Sequence, residues 1–118
     1  MFIKCYVENT VELGDIVEYD SANGTWKHLT SSESHPWGVI VTNPVQDEDN
    51  QEKYLSKIQF SGVCLAKASR DIPDSGGHLS VEPGGVYVSE SSSCGLVSPN
   101  SYNGEDRLSS NLVLINIK

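Results

Sequence analysis

Three histidines (His28, His35, His78) and three cysteines (Cys5, Cys64, Cys94) are the residues best suited to metal or nucleophilic chemistry. A zinc site draws its ligands in closely spaced pairs, and no two of these lie within four residues of one another. A cysteine nucleophile needs a histidine in hydrogen-bond reach and a third group to orient it. Cys94, in Ser93-Cys94-Gly95, is the one thiol in a small-residue loop, and nothing flanking it supplies that pattern. The acidic run Asp47-Glu48-Asp49-Asn50-Gln51-Glu52 could gather a divalent cation weakly, but it lacks the glycine and helices of an EF-hand. Gly76-Gly77 and Gly84-Gly85 precede no Lys-Ser or Lys-Thr and open no helix, so they read as turns rather than phosphate loops. Carboxylate pairs such as Asp15 with Glu18, or Glu105 with Asp106, bring no inferable substrate groove. The expectation is a non-enzyme with no catalytic residue, no metal and no cofactor.

Binding is the remaining class. Trp26, Trp37, Tyr54, Tyr87 and Tyr102 fall near turns or strand ends, where aromatic rings serve as sugar platforms or protein anchors. Trp37 and Tyr102 are the strongest candidates for partner contact, the alternative being tryptophans that close a small core. Sixteen acidic against eight basic residues give a net charge of −8, which repels phosphate backbones and anionic membranes. No apolar run approaches the roughly 18 residues of a membrane span, and the first residues do not form a secretory signal. An odd number of cysteines without C-x-x-C spacing points to reduced thiols and synthesis in a cytosol.

The elements that must position these residues are strands. Phe2 to Val7 and Tyr54 to Phe60 alternate in the period of a half-buried strand. Leu13 to Trp26 reads as a hairpin, Gly-Asp opening a strand and Asn23-Gly24 supplying the tight turn. A looser copy runs from Pro83-Gly84-Gly85 through Val88 and closes through Cys94 to Val97. Gly38 to Thr42 is continuously apolar, as in a strand covered on both faces. The 46–52 run reads as a solvated loop, Val63 to Ala68 as a bulged continuation of the strand before it, and Leu112 to Ile117 as a central strand. Helical periodicity is missing, apart from a single turn at Arg107 to Ser110. About nine short strands with long loops give one all-β domain over residues 1–118, a small β-barrel or two-sheet sandwich. Residues 1–10 make a short amino-terminal strand or arm, whose Phe2 and Ile3 could reach a neighbouring chain.

Gly14-Asp15-Ile16-Val17, then Asn23-Gly24-Thr25-Trp26-Lys27, then Trp37-Gly38-Val39-Ile40-Val41 resembles a recurrent run in bacteriophage virion proteins. Ile58-Gln59-Phe60-Ser61-Gly62-Val63 and Gly84-Gly85-Val86-Tyr87-Val88 extend it. Small capsid decoration proteins and phage fibre modules carry such a pattern on all-β folds that often form trimers. This chain departs from it in two places. Gly85 stands where a second aspartate belongs, and no second Gly-Val-Val strand precedes the closing run. The resemblance implies a homo-oligomer, a trimer by preference, that binds the major capsid protein on the outer surface of a virion and is made in the host cytoplasm. A receptor- or carbohydrate-binding fibre module is the alternative. Neither implies contact with nucleic acid or membrane.

Overall fold

The computed structural model describes residues 2–33, 36–91, 93–99 and 112–118. His35, Tyr102, the Glu105–Asp106 pair and the Arg107-to-Ser110 turn lie outside them. The fold is all-β, with eleven strands in two sheets and no helix among the described residues. Two more strands than expected come from Val45–Gln46 and from Gly62–Lys67, which is a strand of its own.

The first sheet holds β1 (Phe2–Val7), β2 (Ile16–Asp20), β3 (Thr25–His28), β4 (Trp37–Ile40), β5 (Val45–Gln46) and β6 (Tyr54–Gln59). Their order is β1-β3-β2-β4-β6-β5, and β1 also pairs with β6, so five of the six strands close a barrel. The β2–β3 turn is held by the Asp20 carboxylate, which accepts from the Ala22 N–H (3.0 Å) and the Asn23 amide (2.8 Å). Gly24 supplies the positive φ of 66° that this turn requires. Val7, Val11, Val17, Trp26, Ile40 and Ile58 fill the interior.

The second sheet holds β7 (Gly62–Lys67), β8 (Gly77–Glu82), β9 (Gly85–Val88), β10 (Gly95–Val97) and β11 (Leu112–Ile117), in the order β7-β11-β10-β8-β9. It curls until β9 meets the end of β7, where Ala68 and Val86 form a parallel bridge. Its inner face packs against the outside of the barrel, joining Ile16, Leu29, Trp37 and Val39 to Ala66, Leu79, Val86, Val113 and Ile115. β2 and β4 therefore serve two cores. Val17 and Ile40 point into the barrel, while Ile16, Trp37 and Val39 point toward the second sheet. That double duty makes residues 37–40 buried without a break.

Three expectations need correction. Residues 62–67 do not continue β6 past a bulge. Gly62, at φ 86°, swings the chain into the other sheet, where β7 pairs with β11 over six residues. The second hairpin does not close on itself either, because β9 and β10 lie on opposite edges of β8. The acidic run is not wholly solvated: Asp47 is buried and accepts a hydrogen bond from the Tyr6 hydroxyl at 2.8 Å. β11 lies inside its sheet, between β7 and β10, as the apolar run anticipates.

Candidate functional site

The densest polar cluster stands where the two sheets join. Gly14, at φ 91°, brings its backbone against β7, and its carbonyl accepts the Lys67 N–H at 2.9 Å. Asp15 comes next, with a nearly buried carboxylate that accepts the Glu12 N–H at 2.7 Å and lies 2.9 Å from Lys67 Nζ. Lys67 also reaches Glu12 Oε2 at 2.7 Å, and His28 Nδ1 stands 3.6 Å from Asp15. Burial pulls the Lys67 pKa down, but its bonds to Glu12 and Asp15 outweigh that and hold it above the ordinary value. The Lys67 bond holds Glu12 below the usual carboxylate range. Lys67 of the second sheet is tied to Glu12 and Asp15 of the first, so the cluster is a clamp. A second ion pair lies within the other sheet, where Arg70, just after β7, pairs with Glu82 of β8 at 2.6 Å and covers the Tyr87 ring of β9 at 4.0 Å.

Trp37, a candidate from sequence either for partner contact or for closing the core, is 7% exposed and belongs to the core between the sheets. The alternation of β4 turns it inward. Its edge still lines two adjoining clefts. One, of about 330 Å³, is bounded by Ser32, Glu33, Ser80, Tyr87 and Ser93, and the other, of about 300 Å³, by Pro36, Phe60 and Lys118. Cys94 also borders both clefts. Its thiol donates to the Leu79 carbonyl at 3.3 Å, and burial raises its pKa. Burial likewise pushes Cys64 up to about 11 and raises Cys5 against a hydrogen bond from Trp26. These are protonated, packed thiols. Among the described residues no group of three metal-ligating side chains converges.

The amino-terminal candidates stand elsewhere. β1 is laddered to β6 from Phe2 onward, Phe2 opposite Gln59 and Ile3 opposite Ile58, and Ile3 is 46% exposed. Ile3 and Trp37 thus belong to different surfaces and form no common site.

Sequence reasoning missed an exposed apolar face on the second sheet. β7 turns the small side chains Cys64, Ala66 and Ala68 inward and the larger Val63 (59% exposed) and Leu65 outward. Leu114 lies opposite Leu65, and Leu96 (52% exposed) lies beside them opposite Asn116. The signal was present as an inverted size pattern, small residues in the inner register and branched ones in the outer. His78 and Glu82 share that outer register, and the one carboxylate among them is held by Arg70. Comparison with known proteins returns no matching family model, no matching curated protein and no matching solved structure.

Proposed function

We propose that this chain is a non-enzymatic capsid decoration protein of a bacteriophage, which binds the outside of an assembled shell and stabilises it against internal pressure. The observation that carries this reading is the uncovered apolar face formed by Val63, Leu65, Leu96 and Leu114. On a chain of charge −8, a face with three large exposed aliphatic side chains and no unpaired carboxylate in its strand register is suited to protein contact. The order of the Gly-Asp, Asn-Gly and Trp-Gly-Val elements supplies the virion context. A trimer would present three copies of the face, so that weak single contacts sum to firm attachment to the major capsid protein.

The test is co-sedimentation with empty, expanded shells of the phage that carries the protein. Wild type is expected in the pellet, and a Leu65→Ser, Leu96→Ser double variant in the supernatant. Absence of wild type from the pellet would refute the reading.

The cleft beside Trp37 favours a second reading, a carbohydrate-binding fibre module. Its wall combines aromatic edges with Ser32, Glu33, Ser80 and Ser93. A glycan array with signals lost in Glu33→Gln would establish this alternative. Trp37→Ala is a poor probe because it opens the core.

A further inference from the structure

The turn that joins β2 to β3 holds two neighbouring residues that can react with each other. Asn23 and Gly24 are both exposed, and Gly24 is needed there for its φ of 66°. Nothing lies within 4 Å of where a Cβ would stand at Gly24, so its nitrogen is unshielded beside the Asn23 amide. Such a nitrogen is a nucleophile for the side chain that precedes it. It attacks Asn23 Cγ, the Cγ–Nδ2 bond breaks, and the amide leaves as ammonia with the proton of the Gly24 N–H. The product is a cyclic imide. Water opens it at either carbonyl, leaving aspartate at position 23 or isoaspartate, whose main chain is longer by one methylene.

Asp20 engages both reacting groups. Its main-chain carbonyl accepts from the Gly24 N–H at 2.8 Å, so the nucleophile is hydrogen-bonded. Its carboxylate accepts from Asn23 Nδ2 at 2.8 Å, which holds the leaving group. The other carboxylate oxygen takes the Ala22 N–H at 3.0 Å and closes the turn. The Asn23 bond also keeps Asp20 below the usual carboxylate range, so it accepts as a carboxylate at neutral pH. For attack, the Gly24 nitrogen must give up its bond and the Asn23 side chain must leave the carboxylate. Both bonds end on one residue, so local opening of the turn around Asp20 removes them together.

We infer that Asn23 is a site of spontaneous deamidation, latched in the native turn by Asp20. The reaction runs one way and undoes its own latch. A carboxylate at position 23 offers Asp20 no N–H and repels it, an effect that the Lys27 charge acting on Asp20 offsets in part. The new charge also enters the cleft of about 300 Å³ that Asn23 lines with Glu8, Glu52 and Lys53. Modified chains therefore carry a looser β2–β3 turn. Neither the latch nor its loss depends on what the protein binds.

The test is incubation of the full chain in mildly alkaline buffer, with tryptic mass mapping to follow replacement of NH2 by OH at Asn23. Asn103-Gly104, the other Asn-Gly pair of the sequence, falls in a different tryptic peptide and is counted separately. In the folded chain Asn23 is expected to react at least about tenfold more slowly than in the same chain unfolded in guanidinium chloride. Asp20→Ala frees the Asn23 amide and the Ala22 N–H but keeps the carbonyl, and should speed the native reaction about fivefold. If that variant does not fold, Asp20→Asn, which retains an acceptor oxygen, should speed it about twofold. Asp15→Ala, which weakens the fold away from this turn, should leave the rate at Asn23 within about twofold of wild type. Asn23→Asp should quicken hydrogen exchange at Ala22 and Gly24. Equal rates in the folded and unfolded chain, an unchanged rate in the Asp20 variants, or the same acceleration in Asp15→Ala as in Asp20→Ala would overturn the inference.

Discussion

Asp15→Ala tests whether the clamp between the sheets holds the fold together. The carboxylate loses the Glu12 N–H at 2.7 Å and Lys67 Nζ at 2.9 Å. A charge-assisted bond of this kind is worth about 1.5–3 kcal/mol. The Lys67 side chain is 27% exposed, so water rehydrates part of the stranded ammonium and the cost falls short of a fully buried pair broken at one end. The expected loss is about 3 kcal/mol for Asp15→Ala and about half that for Asp15→Asn, which keeps an acceptor for the Glu12 N–H. In a domain of this size 3 kcal/mol lowers Tm by roughly 12 °C. The assay is urea unfolding of Asp15→Asn, Lys67→Met and the double variant, read as a cycle. A coupling of about 1–2 kcal/mol is expected. Additivity within about 0.5 kcal/mol, or a loss below about 1 kcal/mol for Asp15→Ala, would show that the lobes are held by packing alone.

Gly85→Asp, which would restore the second Gly-Asp, is expected to destabilise by more than about 2 kcal/mol, because a Cβ there runs into the Lys67 carbonyl and lies 2.8 Å from Ser69 N; wild-type stability would refute the close approach. Acid should weaken the fold from the ordinary carboxylate range downward: Glu12 and Glu82 have pKa values lowered by Lys67 and Arg70, so their contribution is complete above the unfolded value and fades as pH falls toward the folded one. Lys67→Met should flatten the first part of that fall, measured as the urea midpoint between pH 6 and 3. Cys64 titrates near 11 in the fold, so its contribution is complete below the unfolded value of 9.0 and is lost as pH climbs from there. Cys64→Ala should make the urea midpoint less dependent on pH across that interval, and in the native wild type a thiol reagent should modify Cys64 only as fast as the protein opens.

The local elements were legible because they rest on local physics. Alternation in 2–7 and 54–60 sets a strand period, and Asn23-Gly24 admits a positive φ, so β1, β6 and the first hairpin follow from neighbouring residues. Membership of a sheet is not local. Ser61-Gly62 reads the same whether the chain bulges or crosses to the other sheet, and only six partners on β11, about fifty residues away, decide it. The direction of Trp37 was illegible for another reason: a strand buried on both faces has no alternation from which to read a side. The clamp residues were visible as a Gly-Asp motif, but their partner Lys67 belongs to the other sheet.

The recurrence of a glycine opening at residues 14 and 84–85 takes its meaning from one strand end. Lys67 and Ser69 direct their N–H groups to the same edge of β7; the first is taken by the Gly14 carbonyl and the second by that of Val86. Both openings therefore dock side by side on the same backbone; Gly14 needs glycine for its φ of 91° and because a Cβ would run into the Leu112 side chain, Gly85 because a Cβ would run into the Lys67 carbonyl. They differ at their second residue. After Gly14 there is room for the Asp15 carboxylate to turn toward Lys67 Nζ, whereas at Gly85 the Lys67 carbonyl already occupies the place of a Cβ. The second lobe takes its cation from the next turn instead, Arg70 on Glu82. The motif joins the two sheets, whereas its imperfect copy closes β9 onto the end of β7 within one sheet, each with its own ion pair. The first locks one sheet to the other through Lys67, and the second fixes the curl of the sheet that carries Lys67.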